Sequence, residues 1–310
     1  MDTIPGYSIV REFEYKVANY CDAKHCLSVC NATTGILGVF YALGLSNTEI
    51  ITTPLTWAGA FSGLKMLNCK IKFCDVEPDN LTINPDLIEP LISPDTKAVF
   101  SADFLGYPAR LDRIKEICTK HNLLLIHDAA SSFGSRYKGF YTGHFADVTI
   151  LSFGAKKIFS IGEGGCILTD NDNLFDHLTK SLMHPDRQNR ERNESNPFAL
   201  NTSINPLAAQ YGVEHFDKSL SEIKSKQEKI AEWLKQNTAN GTLPYGEPNF
   251  YKIVVPVNQL AKHDFITDDL PFKNLVYNEL EFCGYDNRVS YDCPIAANAL
   301  NQYKIISIKT

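Results

Sequence analysis

Lys97-Ala-Val-Phe-Ser-Ala-Asp103, Arg110-Leu-Asp-Arg-Ile-Lys-Glu-Ile-Cys-Thr-Lys-His121 and Leu123-Leu-Leu-Ile-His-Asp128 read as strand, helix and strand in succession. Two apolar runs joined by a helical crossover make parallel neighbours in a sheet with both faces covered. The same alternation extends outward from this unit, from about residue 25 to residue 185. Further strands are expected at Glu49–Pro54, Lys70–Val76, Val148–Phe153 and Gly165–Thr169, with helices at Gly35–Leu45, Ala58–Leu67 and Pro85–Leu91. The pattern predicts an α/β fold with a mostly parallel sheet, in which ligands bind outside the carboxyl ends of the strands.

Pro185–Ala199 is polar and turn-rich and reads as a solvated loop. A long helix is expected from Pro206 to Gln236, its charge run lying on an outer face. Beyond it come a strand at Tyr251–Val257, a helix near Phe272–Cys283 and a strand at Asn287–Tyr291. This organisation predicts a large domain over residues 1–205 and a smaller α+β domain over 206–310.

With 310 residues, 44% hydrophobic and 21% charged, the chain has the usage of a globular protein and enough length for a sizeable interior. A formal charge of −6 without a dense basic patch argues against nucleic acid or an anionic membrane as partner. The first residues hold no apolar core of signal-peptide type, and no run has the length of a membrane span. The 9 cysteines contain no Cys-x-x-Cys pair, so they read as reduced core thiols in a cytoplasm rather than a metal site. No Gly-x-Gly-x-x-Gly opens the first helix and no Walker-type loop occurs, and a Rossmann dehydrogenase is set aside.

Four short stretches stand where a ligand would bind. In Ser152-Phe-Gly-Ala-Lys-Lys157, followed by Gly162-Glu-Gly-Gly165, a lysine comes straight after a buried strand. A desolvated lysine amine forms a Schiff base with a carbonyl, although a surface lysine beside a glycine turn has the same pattern. Asp128 ends an apolar strand and needs a cation or hydrogen bonds; the protonated ring nitrogen of pyridoxal 5'-phosphate is one such cation, and a structural carboxylate is the other reading. Asn31-Ala-Thr-Thr-Gly35 opens a helix, where hydroxyls and free N–H groups either cap it or bind phosphate. Trp57, in Pro54-Leu-Thr-Trp57, is either an ordinary aromatic or a stacking face for a flat cofactor.

In this order, with Phe104-Leu-Gly-Tyr-Pro108 and Asp128-Ala-Ala, the motifs resemble the DegT/DnrJ/EryC1/StrS family of sugar aminotransferases. The resemblance runs from about Glu12 to Lys309 and is densest between Ala32 and Asp170. It implies the aspartate-aminotransferase-type fold of pyridoxal-phosphate enzymes and a homodimer with a shared active site. By the same resemblance Lys157 is covalent anchor and general base, and Asp128 pairs with the ring nitrogen. Ala32, Thr33 and Ser152 would bind the phosphate, Trp57 stack on the ring, and Asn201 reach a phosphate across the dimer interface. Ser131 would touch the cofactor's hydroxyl region. The implied reaction moves an amino group from a donor, commonly glutamate, to a keto-sugar, usually nucleotide-linked. A dehydratase branch carries His in place of the lysine, and Lys157 argues against it.

Several positions depart from the family's pattern. Ser131 replaces Gln, Ser203 replaces an Arg that helps bind anionic substrate groups, and Asp103 replaces a His. Arg288 is a candidate for the missing positive charge. The segment before the first helix is short, and the chain stops near Ile305–Lys309, where relatives continue. The altered Ser131 and Ser203 keep open a transaminase or lyase for a non-sugar substrate. A non-catalytic protein on the same fold is the remaining alternative, which Lys157 and Asp128 oppose.

Overall fold

The computed structural model describes residues 6–237, 246–257, 266–269, 289–290 and 293–307. The expected helix near Phe272–Cys283 lies outside them, as do Cys283 and Arg288. An eight-stranded sheet organises the molecule. Its strands are β1 (His25–Val29), β2 (Glu49–Thr52), β3 (Lys70–Phe73), β4 (Thr96–Ala102), β5 (Leu124–Asp128), β8 (Val148–Ser152), β9 (Gly165–Thr169) and β12 (Val289–Ser290), in the order β1-β9-β8-β5-β4-β2-β3-β12. β6 (Arg136–Tyr137) and β7 (Phe140–Tyr141) form a small hairpin beside it. The pairs from β8 through β5, β4, β2 and β3 to β12 are all parallel. Only β9 runs against its neighbours β1 and β8. The mostly parallel sheet is therefore borne out, with one reversed strand.

Alternate residues of each strand face opposite cores, as the two-residue period requires. Ile126, Ile150 and Ile167 enter the core covered by α2 (Ala32–Ala42), α3 (Ser62–Met66) and α5 (Asp172–Leu182). Leu151 and Leu168 enter an aromatic-rich core against α1 (Tyr7–Tyr20) and α7 (Pro206–Asn237), and Leu125 packs with α4 (Leu111–Lys120). α1 buries Val10, Phe13, Glu14 and Val17, the spacing of one helical face. A second sheet joins β10 (Ile253–Pro256), β13 (Tyr303–Ser307) and β11 (Ile266–Asp269). Ahead of β13, α8 (Pro294–Gln302) starts on the Asp75 carboxylate, which accepts from Ile295 N and Ala296 N, both at 2.8 Å.

Two expectations need correction. Pro185–Ala199 is not simply a solvated loop: Pro185–Arg192 forms α6, ended by Asn193 in the left-handed conformation at φ 54°. Arg187 and Gln188 on it are buried. The Pro85–Leu91 helix is two 3-10 turns, Pro85–Leu87 and Glu89–Leu91, because Pro90 has no N–H to continue the ladder. No helix of the described residues is long and apolar enough to cross a membrane. Of the eight cysteines described, all are free and only Cys30 is not buried.

Candidate active site

Register brings the expected residues to one edge of the sheet. Val29 at the end of β1 pairs with Gly165, and Gly165 pairs with Ser152 at the end of β8. Asp128 ends the parallel neighbour β5. Gly165 has no room for a side chain: a Cβ would lie 2.7 Å from Leu151 O and 3.0 Å from Ala32 N. The start of α2 is thereby seated directly beside Ser152. Asn31 caps that helix by accepting from Thr34 N at 2.9 Å. The cap leaves the N–H groups of Ala32 and Thr33 at the helix's positive end, where an anion gains roughly 0.3–1 kcal/mol from the dipole.

Trp57 stands over this edge, 68% exposed. A Cβ on Gly59 would meet the Trp57 indole at 3.0 Å and the Thr33 hydroxyl at 3.6 Å, so indole and hydroxyl flank one glycine. Asp128 is buried and accepts a hydrogen bond from Ala130 N at 2.9 Å. Burial raises its pKa, against the pull of the Ala130 N–H and the Lys157 charge. Lys157 is shifted the opposite way: burial lowers its pKa, with Asp128 resisting. Amine and carboxylate are thus near enough to act on each other. A lowered pKa makes the Lys157 amine easier to deprotonate and so a readier nucleophile, and a cation beside Asp128 would favour its charged form.

Behind Asp128 lies a buried polar layer. Asp103 N donates to Asp128 O at 3.1 Å, Asp103 Oδ1 accepts from Ala109 N at 2.8 Å, and Oδ2 accepts from Thr142 Oγ1 at 2.8 Å. His127 Nε2 lies 3.3 Å from Asp103 Oδ2, an ion-pair distance without hydrogen-bond alignment, and both its ring nitrogens lack a hydrogen bond among the described residues. Ser131 turns its hydroxyl to Asp103 O at 3.1 Å. Asn201 is exposed and accepts from Ser203 N at 3.3 Å; its neighbour Thr202 accepts from Cys30 N at 2.7 Å, next to the start of α2.

The sequence reading missed Tyr251. Lys157 Nζ lies 5.5 Å from the centroid of its ring, in cation–π range. The signal in sequence was only an aromatic at the head of an expected strand, and nothing local ties it to a lysine ninety-odd residues earlier.

These groups fit pyridoxal 5'-phosphate on the structure's own terms. The site combines a buried carboxylate that a cation would stabilise, a half-buried amine within its electrostatic reach, the N–H groups of a helix start suited to an anion and an exposed indole face. A sequence model of the DegT/DnrJ/EryC1/StrS aminotransferase family matches residues 2–248. The chain belongs to this family. Aminotransferases of the DegT/DnrJ/EryC1/StrS family use pyridoxal 5'-phosphate, and the chain is an enzyme of that class. It is 28% identical over 291 residues to the UDP-2-acetamido-2-deoxy-3-oxo-D-glucuronate aminotransferase of Pseudomonas aeruginosa, covering 92% of this chain and 77% of that one. To the GDP-perosamine synthase of Caulobacter vibrioides it is 29% identical over 244 residues, covering 77% and 65%. The crystal structure of DesI with its TDP-sugar product superposes with a TM-score of 0.81 at 22% identity, over 98% of this chain and 80% of that one. The last likeness bears on fold, which is that of the aspartate-aminotransferase type.

Proposed function

We propose that the enzyme moves an amino group, with glutamate as donor, to a keto-sugar carried on a nucleotide, in amino-sugar biosynthesis. The observation that carries this reading is the half-buried Lys157 amine, close enough to the buried Asp128 carboxylate for each charge to act on the other, at the sheet's carboxyl edge. The two curated relatives support the substrate class, since both carry names of nucleotide-sugar chemistry.

When bound, pyridoxal phosphate supplies an aldehyde carbon open to amines and a protonated ring that accepts electrons. Lys157 would hold the group covalently through its amine, and that amine, once freed, would carry the proton to and from the reacting carbon. Asp128 would keep the ring nitrogen protonated. Ala32 and Thr33, through the helix start, and Ser152 would bind the phosphate. Trp57 would stack on the ring, and Ser131 would lie toward the hydroxyl region.

The proposal includes a homodimer in which Asn201 reaches the phosphate of the partner's site; the exposed Phe198, Leu200, Leu207 and Tyr211 around it support a buried interface. It also includes a cytoplasmic setting, supported by the free thiols, and a division near residue 205 into a large and a small domain. The visible absorbance of the purified protein, before and after excess glutamate, tests the core of it. A yellow band that glutamate bleaches, and that a Lys157→Ala protein lacks, is the expected result. A band indifferent to glutamate overturns the donor, and no band after adding pyridoxal phosphate overturns the function.

A further inference from the structure

The backbone on either side of Tyr251 is held from several directions. Asn249 is fully buried: its Nδ2 donates to Ser131 O at 3.0 Å and Phe133 O at 2.9 Å, and its Oδ1 accepts from Tyr251 N at 2.8 Å. Its own N–H donates to Ser135 Oγ at 2.9 Å. Gly106, at φ +100°, makes room for this amide, because a Cβ there would fall 2.1 Å from Asn249 Oδ1. Lys252 N donates to Leu105 O at 3.2 Å. Phe250 is buried at φ 53°, a left-handed backbone that a bulky residue keeps only where its surroundings impose it. Its ring packs edge-on against Tyr107, with centroids 6.2 Å apart, and Tyr107 Oη accepts from Val254 N at 2.9 Å.

This fixed segment sets the half-buried Tyr251 ring beside the Lys157 amine, with Nζ 5.5 Å from the ring centroid. The lysine's own backbone is held too, its N–H donating to Gly154 O at 2.9 Å. Burial lowers the pKa of the amine, and the Asp128 charge resists. Among the described residues Lys157 Nζ makes no hydrogen bond and no ion pair, so the face of Tyr251 is the group that meets its charge at contact range. Lys252 Nζ lies 5.9 Å from the same ring, but Lys252 is exposed. Water already solvates that ammonium, and a cation gains most from a ring where water is excluded.

The geometry points to Tyr251 as a positioning residue for Lys157: the face of its ring receives the lysine ammonium whenever the amine is not joined to the cofactor. The inference rests on the reading that Lys157 is the cofactor's anchor. In each half of the proposed transfer the lysine nitrogen is set free and takes up a proton. A half-buried ammonium with no bonded partner gives that proton up readily or turns toward water. An aromatic face stabilises the charge through its quadrupole and has no lone pair with which to take the proton. The proton therefore stays on Nζ, and Nζ stays in the site, until the reacting carbon accepts it. The contact uses the face and not the hydroxyl, so phenylalanine serves as well as tyrosine.

Acetic anhydride reacts with an amine only when it is unprotonated. Labelling of Lys157 in the full chain freed of cofactor, followed across pH by mass spectrometry, therefore reads how firmly the amine keeps its proton. Tyr251→Leu should lower the labelling midpoint by about half a unit to one unit, the scale of one partly desolvated cation–π contact. Tyr251→Phe should hold the parent's midpoint. Asn249→Ser keeps the ring but loosens its backbone; it should give part of the same drop, and it carries the test if the Leu variant does not fold. Equal midpoints in the parent and in the Leu and Ser variants overturn the inference. A Phe variant that falls as far as the Leu variant also overturns it, by giving the effect to the hydroxyl. After loading with pyridoxal phosphate, a yellow band that depends on Lys157 beside unchanged midpoints loses the role of Tyr251 alone. A yellow band that survives Lys157→Ala removes the anchor, and the inference with it.

Discussion

Asp128 and Lys157 illustrate how burial tunes two groups in opposite directions at one site. Burial disfavours both charges, so the carboxyl titrates higher and the amine lower than in water. On the proposed function, Asp128→Asn removes the anion that would hold the ring nitrogen protonated. Its amino-transfer rate should fall by roughly 100-fold or more, a scale usual for losing a proton-handling group; single-turnover bleaching by glutamate measures it. Glu49 shows the reverse balance. It is buried, yet Lys72 at 2.8 Å, Thr96 at 2.6 Å, Ser93 at 2.7 Å and Lys70 at 3.2 Å outweigh its desolvation and hold its pKa to about 2. A depressed carboxyl stabilises the fold above its unfolded pKa and loses that contribution as pH falls through the folded one. The shift corresponds to about 3 kcal/mol, fading between about pH 4.5 and 2. Glu49→Gln should flatten the acid limb of a urea-midpoint-versus-pH curve in that window; an unchanged limb would assign the acid loss elsewhere.

Among elements, α6 is the one whose polarity hides its role. Arg187 donates to Glu14 Oε1 at 3.0 Å and Oε2 at 2.5 Å on α1, and to Glu191 Oε1 at 2.8 Å one turn on. Glu14 Oε1 also accepts from Ser28 N at 2.8 Å and Ser28 Oγ at 2.7 Å, so one carboxylate ties α6, α1 and β1 together. Breaking such a pair leaves a buried charge alone and costs about 3–5 kcal/mol. Arg187→Met should lower the urea midpoint accordingly, and adding Glu14→Gln should recover part of the loss. Strict additivity of the two substitutions would argue that the pair is not coupled. The pairs Arg187–Glu191 and Asp186–Arg190, both four residues apart, were the available sign of a helix in this stretch. Their charge was read as solvation because burial of an arginine depends on a glutamate 173 residues away. β5 and β9 were legible because their apolar runs are local facts.

For the whole molecule, the exposed apolar side chains on either side of Asn201 are the surface on which the proposed homodimer rests. Phe198 is 88% exposed, and large patches of this kind on a monomer are uncommon. Phe198→Glu should shift the enzyme from dimer to monomer in light scattering at micromolar concentration and speed loss of the cofactor, because Asn201 would then lack the neighbouring site. A variant that stays dimeric and holds cofactor as the parent does would put the interface elsewhere.

The sequence by itself determined the layered α/β architecture and named the candidate residues that the fold brings to the sheet's carboxyl edge. Apolar runs, a capped glycine-rich helix start, Asp128 and Lys157 are readable from neighbours in the chain, and family resemblance put them in order. Only the tertiary structure decided the rest. The reversal of β9, the burial of Arg187, the meeting of Asp103 with His127 and the approach of Tyr251 to Lys157 all join residues far apart in sequence. Local pattern carries no record of such contacts, because their free energy arises from burial and charge that exist only once the sheet has brought the segments together.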